Sequence, residues 1–287
     1  MNRLLLRSVI LALCTVLVAC AGDDDPEYVE RPVEELYNEA MDSMQAGKFF
    51  SAAQLFDEVE RQHPYSSWAT KAQLMAAFAH YQNGKYDEAI VALDRFIQLH
   101  PSNRDAPYAH YLKGLCYYEQ ISDVKRDQKM TELALKSFET LIARFPESKF
   151  SKDARVKLDL TYDHLAGKTM EIGRYYLRQG HYLAAINRFR AVVEQYEKTT
   201  HSPEALHRMT EAYLALGLKQ EAQRTAAVLG HNFPGSEWYI DAYELVEQKR
   251  IRPEEKPWYQ VWDGNDAPEA PKAQKIETKE EPWYIFW

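Results

Sequence analysis

Nine histidines and three cysteines are the side chains best suited to metal or covalent chemistry, and their spacing supports neither. No two histidines stand four residues apart around a Glu, as a metalloprotease helix requires. His63 and His100 directly precede Pro64 and Pro101, where the carbonyl end of a helix favours a cation. Cys116 lies in "YLKGLCYYEQ", whose apolar neighbours predict a buried small hydrophobe rather than a nucleophile. Neither a Walker loop nor a dinucleotide fingerprint occurs. The many carboxylates read as solvated helix faces. The chain is expected to be no enzyme, with no metal and no cofactor.

The other two cysteines fall in the first twenty residues. Arg3 and Arg7 give a positive start, and "SVILALCTVLVA" is an apolar run too short to span a bilayer as a mature helix. It ends in "LVAC", Leu17 to Cys20, which resembles the lipobox of bacterial lipoproteins. That resemblance implies a signal peptide over residues 1–19 and cleavage before Cys20, whose thiol and new amine then carry palmitate-type acyl chains. Each buried methylene contributes about 0.8 kcal/mol, so several chains anchor the protein to a membrane without a transmembrane helix. The alternatives are an ordinary signal peptide with a chance Cys, or an uncleaved anchor. Ala21 stands where an Asp commonly signals inner-membrane retention, which favours the outer membrane, although Asp23 to Asp25 lie close. With Cys14 removed and Cys20 acylated, Cys116 is left without a partner for an internal disulfide.

The chain holds 43 acidic and 35 basic residues, and Arg3 and Arg7 leave with the leader. An acidic chain without a dense Lys/Arg stripe is a poor nucleic-acid ligand.

The rest of the chain must be organised by a repeat. "GKFFSAAQLFDEVERQHP" (residues 47–64) returns as "GKYDEAIVALDRFIQLHP" (residues 84–101). A Gly-to-Ala step of five recurs at Gly47–Ala52, Gly84–Ala89, Gly180–Ala185 and Gly217–Ala222. An Ala-to-Pro step of twelve recurs at Ala52–Pro64, Ala89–Pro101, Ala134–Pro146 and Ala222–Pro234. Four residues after each Ala stand Phe56, Leu93, Phe138, Phe189 and Ala226. Gly permits the left-handed turn that ends one helix, Ala lets two helices cross closely, and Pro stops the second helix. The pattern resembles the tetratricopeptide repeat, with small residues at Ala40, Ala77, Gly114 and Gly173 in the first helices. The expected fold is all-α: a tetratricopeptide-repeat solenoid of about five helix pairs over residues 33–249, after a lipidated linker at 20–32. Copy three carries the insertion "SDVKRDQ", and an additional helical run, "SKDARVKLDLTYDHLA", precedes copy four. Copy four has Glu197 in place of the Pro, and "SEWYIDAYELVEQKR" is expected to cap the stack.

In such repeats the second, fifth, ninth and twelfth residues of the first helix line the concave face. Those positions include Tyr37, Met41, Leu74, Phe78, Tyr81, Tyr108, Tyr111, Leu115 and Tyr118. They either pad neighbouring helices or form an apolar groove for an extended or helical peptide. The matching C-terminal positions, among them Arg174, Glu204, His207 and Glu211, are more polar, so the two halves are expected to hold different partners.

The lipobox, the repeats and phrases such as "DRFIQLHP", "YLKGLCYY" and "ISDVKRDQ" are similar to the BamD family of outer membrane protein assembly factors. The resemblance implies a periplasm-facing lipoprotein of the β-barrel assembly machinery. Its N-terminal repeats would face unfolded outer-membrane protein precursors, and its C-terminal repeats the POTRA domains of a BamA-like barrel protein, alongside other Bam lipoproteins. Arg188 in "AINRFRAVV" matches a family Arg implicated in communication with BamA, and Arg174 is a further candidate partner contact. The competing expectation is an envelope repeat lipoprotein serving another task, such as peptidoglycan-associated DNA uptake or division.

From Arg250 the chain turns rich in Pro, Glu and Lys and reads as a disordered tail over 250–287. Two aromatic motifs recur within it, "KPWYQVW" (residues 256–262) and "EPWYIFW" (residues 281–287). Either they pack back on the last helix, or Trp283, Ile285 and Trp287 imitate the end of a barrel precursor and occupy the groove. The leader reading makes a prediction of its own: mass spectrometry of the membrane-extracted protein should find an acylated Cys20 as the first residue. An unmodified sulfur there would refute it.

Overall fold

The computed structural model describes residues 30–248. Cys20, the leader, most of the linker and both tail motifs lie outside the described residues. Among the described residues eleven helices and no strand occur. In chain order they are α1 (Val33–Gln45), α2 (Phe49–Gln62), α3 (Ser67–Gln82), α4 (Tyr86–Leu99), α5 (Ala106–Tyr118), α6 (Lys129–Arg144), α7 (Lys149–Arg178), α8 (Tyr182–Gln195), α9 (Ser202–Ala215), α10 (Lys219–Asn232) and α11 (Glu237–Glu247). Each helix packs on the next, and α1, α3, α5 and α7 also touch one another in sequence. The result is a stack of five antiparallel pairs with α11 on the end.

The turns inside the pairs follow from one backbone requirement. Gly47, Gly84, Gly180 and Gly217 have φ of 71°, 70°, 74° and 75°, the left-handed region where a side chain is strained. At the first of them the Lys48 N–H donates to the Ser43 carbonyl at 2.9 Å and the Gly47 N–H to Met44 at 3.0 Å. These two bonds satisfy carbonyls that a helix end leaves orphaned. The same pair of bonds recurs at the other three glycines.

Between the two helices of a pair, Ala52, Ala89, Ala134, Ala185 and Ala222 are all 0% exposed, and so are Phe56, Leu93, Phe138 and Phe189. In the third and fourth pairs the ring four residues after the Ala sits on the small residue of the first helix. A Cβ built on Gly114 would lie 2.5 Å from the Phe138 ring, and one on Gly173 2.4 Å from the Phe189 ring. Burying each such side chain contributes about 2–3 kcal/mol.

Three local departures have local causes. The insertion is strapped down: the Lys168 ammonium donates to the carbonyls of Lys125 and Arg126 at 2.9 and 3.1 Å. The Gln128 side chain accepts from Thr131 at 2.9 Å, and His164 Nδ1 lies 2.9 Å from the same oxygen. The additional run before copy four is no separate helix. It continues unbroken into the copy's first helix, making α7 30 residues long. Where Glu197 replaces the Pro, the hydroxyls of Thr199 and Ser202 donate to the Tyr196 carbonyl at 2.7 and 3.0 Å and close the helix end. His63 and His100 follow the last residues of α2 and α4, and their rings tie back to the lead-in and to a first helix. His63 Nε2 lies 2.7 Å from the Arg31 carbonyl and His100 Nε2 3.1 Å from the Gln73 amide oxygen. No helix of the described residues is long and apolar enough to cross a membrane.

The close crossing is testable at Gly173. Replacing a helical Gly by Ala gains about 1 kcal/mol of propensity, but overpacking a buried ring costs about 1–3 kcal/mol. Because Phe189 is 0% exposed and has nowhere to swing, the clash should win. Gly173→Ala should lower the urea midpoint, and Phe189→Leu in the same chain should recover part of the loss.

Candidate functional site: an aromatic wall and a buried ion-pair cluster

The side chains expected to line the groove fall in two packed groups of the wall, one on α1 and the start of α3 and one along α3 and α5. Tyr37 packs edge-on to Phe56 at 5.4 Å and against Trp68 at 4.7 Å between ring centres. Met41 joins the same cluster. On α3, Phe78 stacks with Tyr81 at 6.4 Å, and Tyr81 meets Tyr86 at 5.8 Å. On α5, Tyr118 meets Phe138 at 6.2 Å, and Leu115 packs between the two clusters around it. Leu74 and Tyr108 are 7% and 8% exposed and serve mainly as packing, whereas the other seven are half-buried and present part of their surface.

Three wall residues come from the start of α7. Phe150 stacks on Tyr111 at 5.5 Å and covers Tyr108 at 5.1 Å, the Tyr111 hydroxyl donates to Asp153, and the Lys157 ammonium lies 5.2 Å over the Tyr118 ring. The repeat frame does not point to them, because their run precedes copy four. Their spacing of three and four residues, which puts Phe150, Asp153 and Lys157 on one face, is the signal that could have found them.

The phenols of the wall are held in their neutral form. Burial, then the Glu119 carboxylate, pushes the Tyr81 phenol up to about 12. Burial and then the bond to Asp153 push Tyr111 further in the same direction. Burial raises the Cys116 thiol to about 12. Among the described residues no group of three His, Cys, Asp or Glu is placed to hold a metal.

The C-terminal half has different chemistry. Arg174 on α7 clamps Glu204 on α9 with two nitrogens, Nε at 2.9 Å and a terminal nitrogen at 2.5 Å, while donating to Glu171 at 2.6 Å. Arg208 reaches Glu211 at 2.9 Å and lies 5.4 Å over the Trp238 ring of α11. Burial would raise the Glu204 carboxyl, but the bonds from Arg174 and the charge of Arg208 outweigh it and hold the group below its ordinary range. His207, 5% exposed, packs 5.3 Å from Trp238, and its Nδ1 has no hydrogen-bond partner among the described residues. Burial, helped by the Arg208 charge, pushes its pKa down against the opposing pull of Asp241, Glu211 and Glu204. Arg188 stands apart from this cluster, exposed on α8.

The chain as a whole is similar to known proteins. The family model described as YfiO, outer membrane lipoprotein, matches residues 29–246. The outer membrane protein assembly factor BamD of Caulobacter vibrioides is 49% identical over 86% of this chain and 84% of its own length. The chain belongs to the BamD family of outer membrane protein assembly factors. Rickettsia prowazekii BamD is 44% identical over 84% of this chain and 96% of its own, and Neisseria meningitidis serogroup A BamD 32% identical over 91% and 100%. In this BamD family member, the match takes in residues of all eleven described helices.

The ion-pair cluster carries a pH prediction. A His with a lowered folded pKa contributes stability above its ordinary value near 6.5, lost as pH falls toward the folded value. Glu204, with a lowered folded pKa, adds a second loss below the ordinary carboxylate range. Thermal unfolding midpoints should therefore fall from pH 7 to 5, and His207→Phe should flatten that first segment. His110, also pushed down by burial, accounts for a residual slope.

Proposed function

We propose that this chain is a lipid-anchored, non-enzymatic scaffold of the outer-membrane β-barrel assembly complex, facing the periplasm. In this reading Tyr37, Met41, Phe78, Tyr81, Tyr111, Leu115 and Tyr118 receive segments of unfolded barrel precursors, with Leu74 and Tyr108 supporting them from beneath. The POTRA region of a BamA-like protein docks on the C-terminal repeats, where exposed Arg188 offers a cation and Arg174 sets the surface by fixing Glu204. Other Bam lipoproteins complete the assembly. The observation that carries the reading is the succession of half-buried rings on α1, α3, α5 and the start of α7. Half-buried aromatics supply large contact area at low entropic cost.

Crosslinking of whole envelopes tests the partners: the main adducts should be a barrel protein with POTRA domains and unfolded precursors, and adducts confined to cell-wall proteins would refute it. The groove is tested separately with Phe78→Ala and Tyr81→Ala together. Tyr111→Glu is a poorer choice, because it would set a second carboxylate against Asp153. Loss of two central contacts should weaken capture of an unfolded-barrel peptide by about tenfold or more. Far-UV circular dichroism should stay unchanged, and unaltered affinity would sink the groove assignment.

A further inference from the structure

The last described helix is held at two close seats around a small core. α11 is 11 residues long, marginal alone in water, so its packing on α9 and α10 must hold it. One seat is Tyr239 on Gly230 of α10, where an added Cβ would lie 2.4 Å from the ring. The other is Trp238 on His207 of α9, with ring centres 5.3 Å apart. Leu206, Leu229 and Ala242 complete the buried cluster.

His207 gives the second seat a chemistry that the first lacks. The matching positions of copies two and three hold Leu74 and Tyr111, neither of which can gain a positive charge. The His207 ring is buried, and its Nδ1 has no hydrogen-bond partner among the described residues. A neutral imidazole can leave that nitrogen as a lone pair, but an imidazolium carries a proton on both nitrogens. Protonation would therefore create a buried donor without an acceptor. It would also set a second cation on the Trp238 indole, over which the Arg208 guanidinium already lies at 5.4 Å.

The acids around the ring are engaged elsewhere. On α9, Glu204 takes bonds from Arg174 and Arg208, and Glu211 takes one from Arg208. On α11, Asp241 pulls the ring toward its charged form but has a partner of its own. On α10, Arg224 and Glu221 pair with each other at 2.9 Å. Burial and the Arg208 charge outweigh the pull of the acids.

We propose that His207 is an acid-operated latch: neutral, it seats α11 on α9, and protonated, it releases α11 as a unit and uncovers Leu206 and Leu229 while the rest of the stack stays folded. The charged ring is disfavoured only while α11 is docked, so the released form binds the proton more tightly and acid favours release. A single histidine with an ordinary value near 6.5 once released can change this equilibrium by at most about 25-fold between pH 7 and 5.

Hydrogen–deuterium exchange of the full chain in detergent micelles, with rates corrected for the pH dependence of intrinsic exchange, tests this. Protection of the α11 peptides should fall by about tenfold from pH 7 to 5, while α1 to α4 keep theirs. His207→Phe, which keeps a ring against Trp238, should hold α11 protection level over that range. His207→Gln, also uncharged, should do the same and serves where Phe packs badly. An α11 that acid leaves protected in the wild-type chain overturns the proposal. So does a loss that persists in both variants, which would assign it to groups other than His207. Loss shared equally by α1 to α4 would show unfolding of the whole stack and refute a local latch. A loss well beyond about 25-fold would refute control by one histidine.

Discussion

A bulky side chain pressed against a small residue, a ring in three of the pairs and Leu93 in the second, sets the geometry of every complete repeat but the last. Phe138 on Gly114 and Phe189 on Gly173 leave no room for a methyl group, and Ala40 and Ala77 hold the equivalent place beneath Phe56 and Leu93. This contact fixes how closely the two helices of a pair approach. Helices of 13–16 residues are marginal alone in water, so the pair must also be buried by its neighbours. The core clusters show how: Ala72, Ala76 and Ala79 of α3 complete the cluster begun by Leu36 and Phe56. Remove the ring contact and neighbouring pairs lose their register, with the wall of first helices that depends on it.

That wall explains how one face can be sticky without collapsing onto its neighbours. Its rings are half-covered by one another, and the hydroxyls of Tyr81 and Tyr111 are answered by Glu119 and Asp153. A wall of leucines with the same area would be a larger aggregation hazard. In the C-terminal half the corresponding positions are spent on ion pairs. Glu204, 8% exposed, is held by two half-buried arginines. The two halves thus share a backbone plan and differ in the side-chain chemistry they present.

How much of this the sequence disclosed depends on whether a feature is written locally. The turn glycines, crossing alanines and terminal prolines act through backbone limits at their own positions, so spacing locates five pairs and a capping helix. The length of α7 is not local. Nothing between Lys149 and Arg178 stops a helix, since Gly167 is tolerated where His201 approaches to within 3.1 Å of its missing Cβ. A repeat frame looks for turns and does not see a turn that is missing. For the same reason the frame names Tyr108 as a groove residue but misses Phe150, which covers it. The polar cluster is legible as a set of side chains. That Arg174 and Glu204 meet face to face requires knowing that α7 and α9 share α8 as a neighbour.

The long helix also decides how the two candidate faces relate. At about 1.5 Å per residue, α7 runs about 45 Å, with Asp153 and Lys157 in the groove near one end and Glu171 and Arg174 in the ion-pair cluster near the other. Sharp kinks arise at prolines, at inserted side chains or at local changes of helix type, and α7 is one continuous α-helix without proline. Both of its glycines are enclosed, Gly167 by His201 and Val124 and Gly173 by the Phe189 ring, and the strap from Lys168 holds the adjoining insertion. Asp163 accepts from the Thr200 backbone and hydroxyl at 2.9 and 2.6 Å, fixing the same stretch to the turn before α9. The aromatic wall and the C-terminal ion-pair cluster thus share one continuous helix, braced at its middle on both sides.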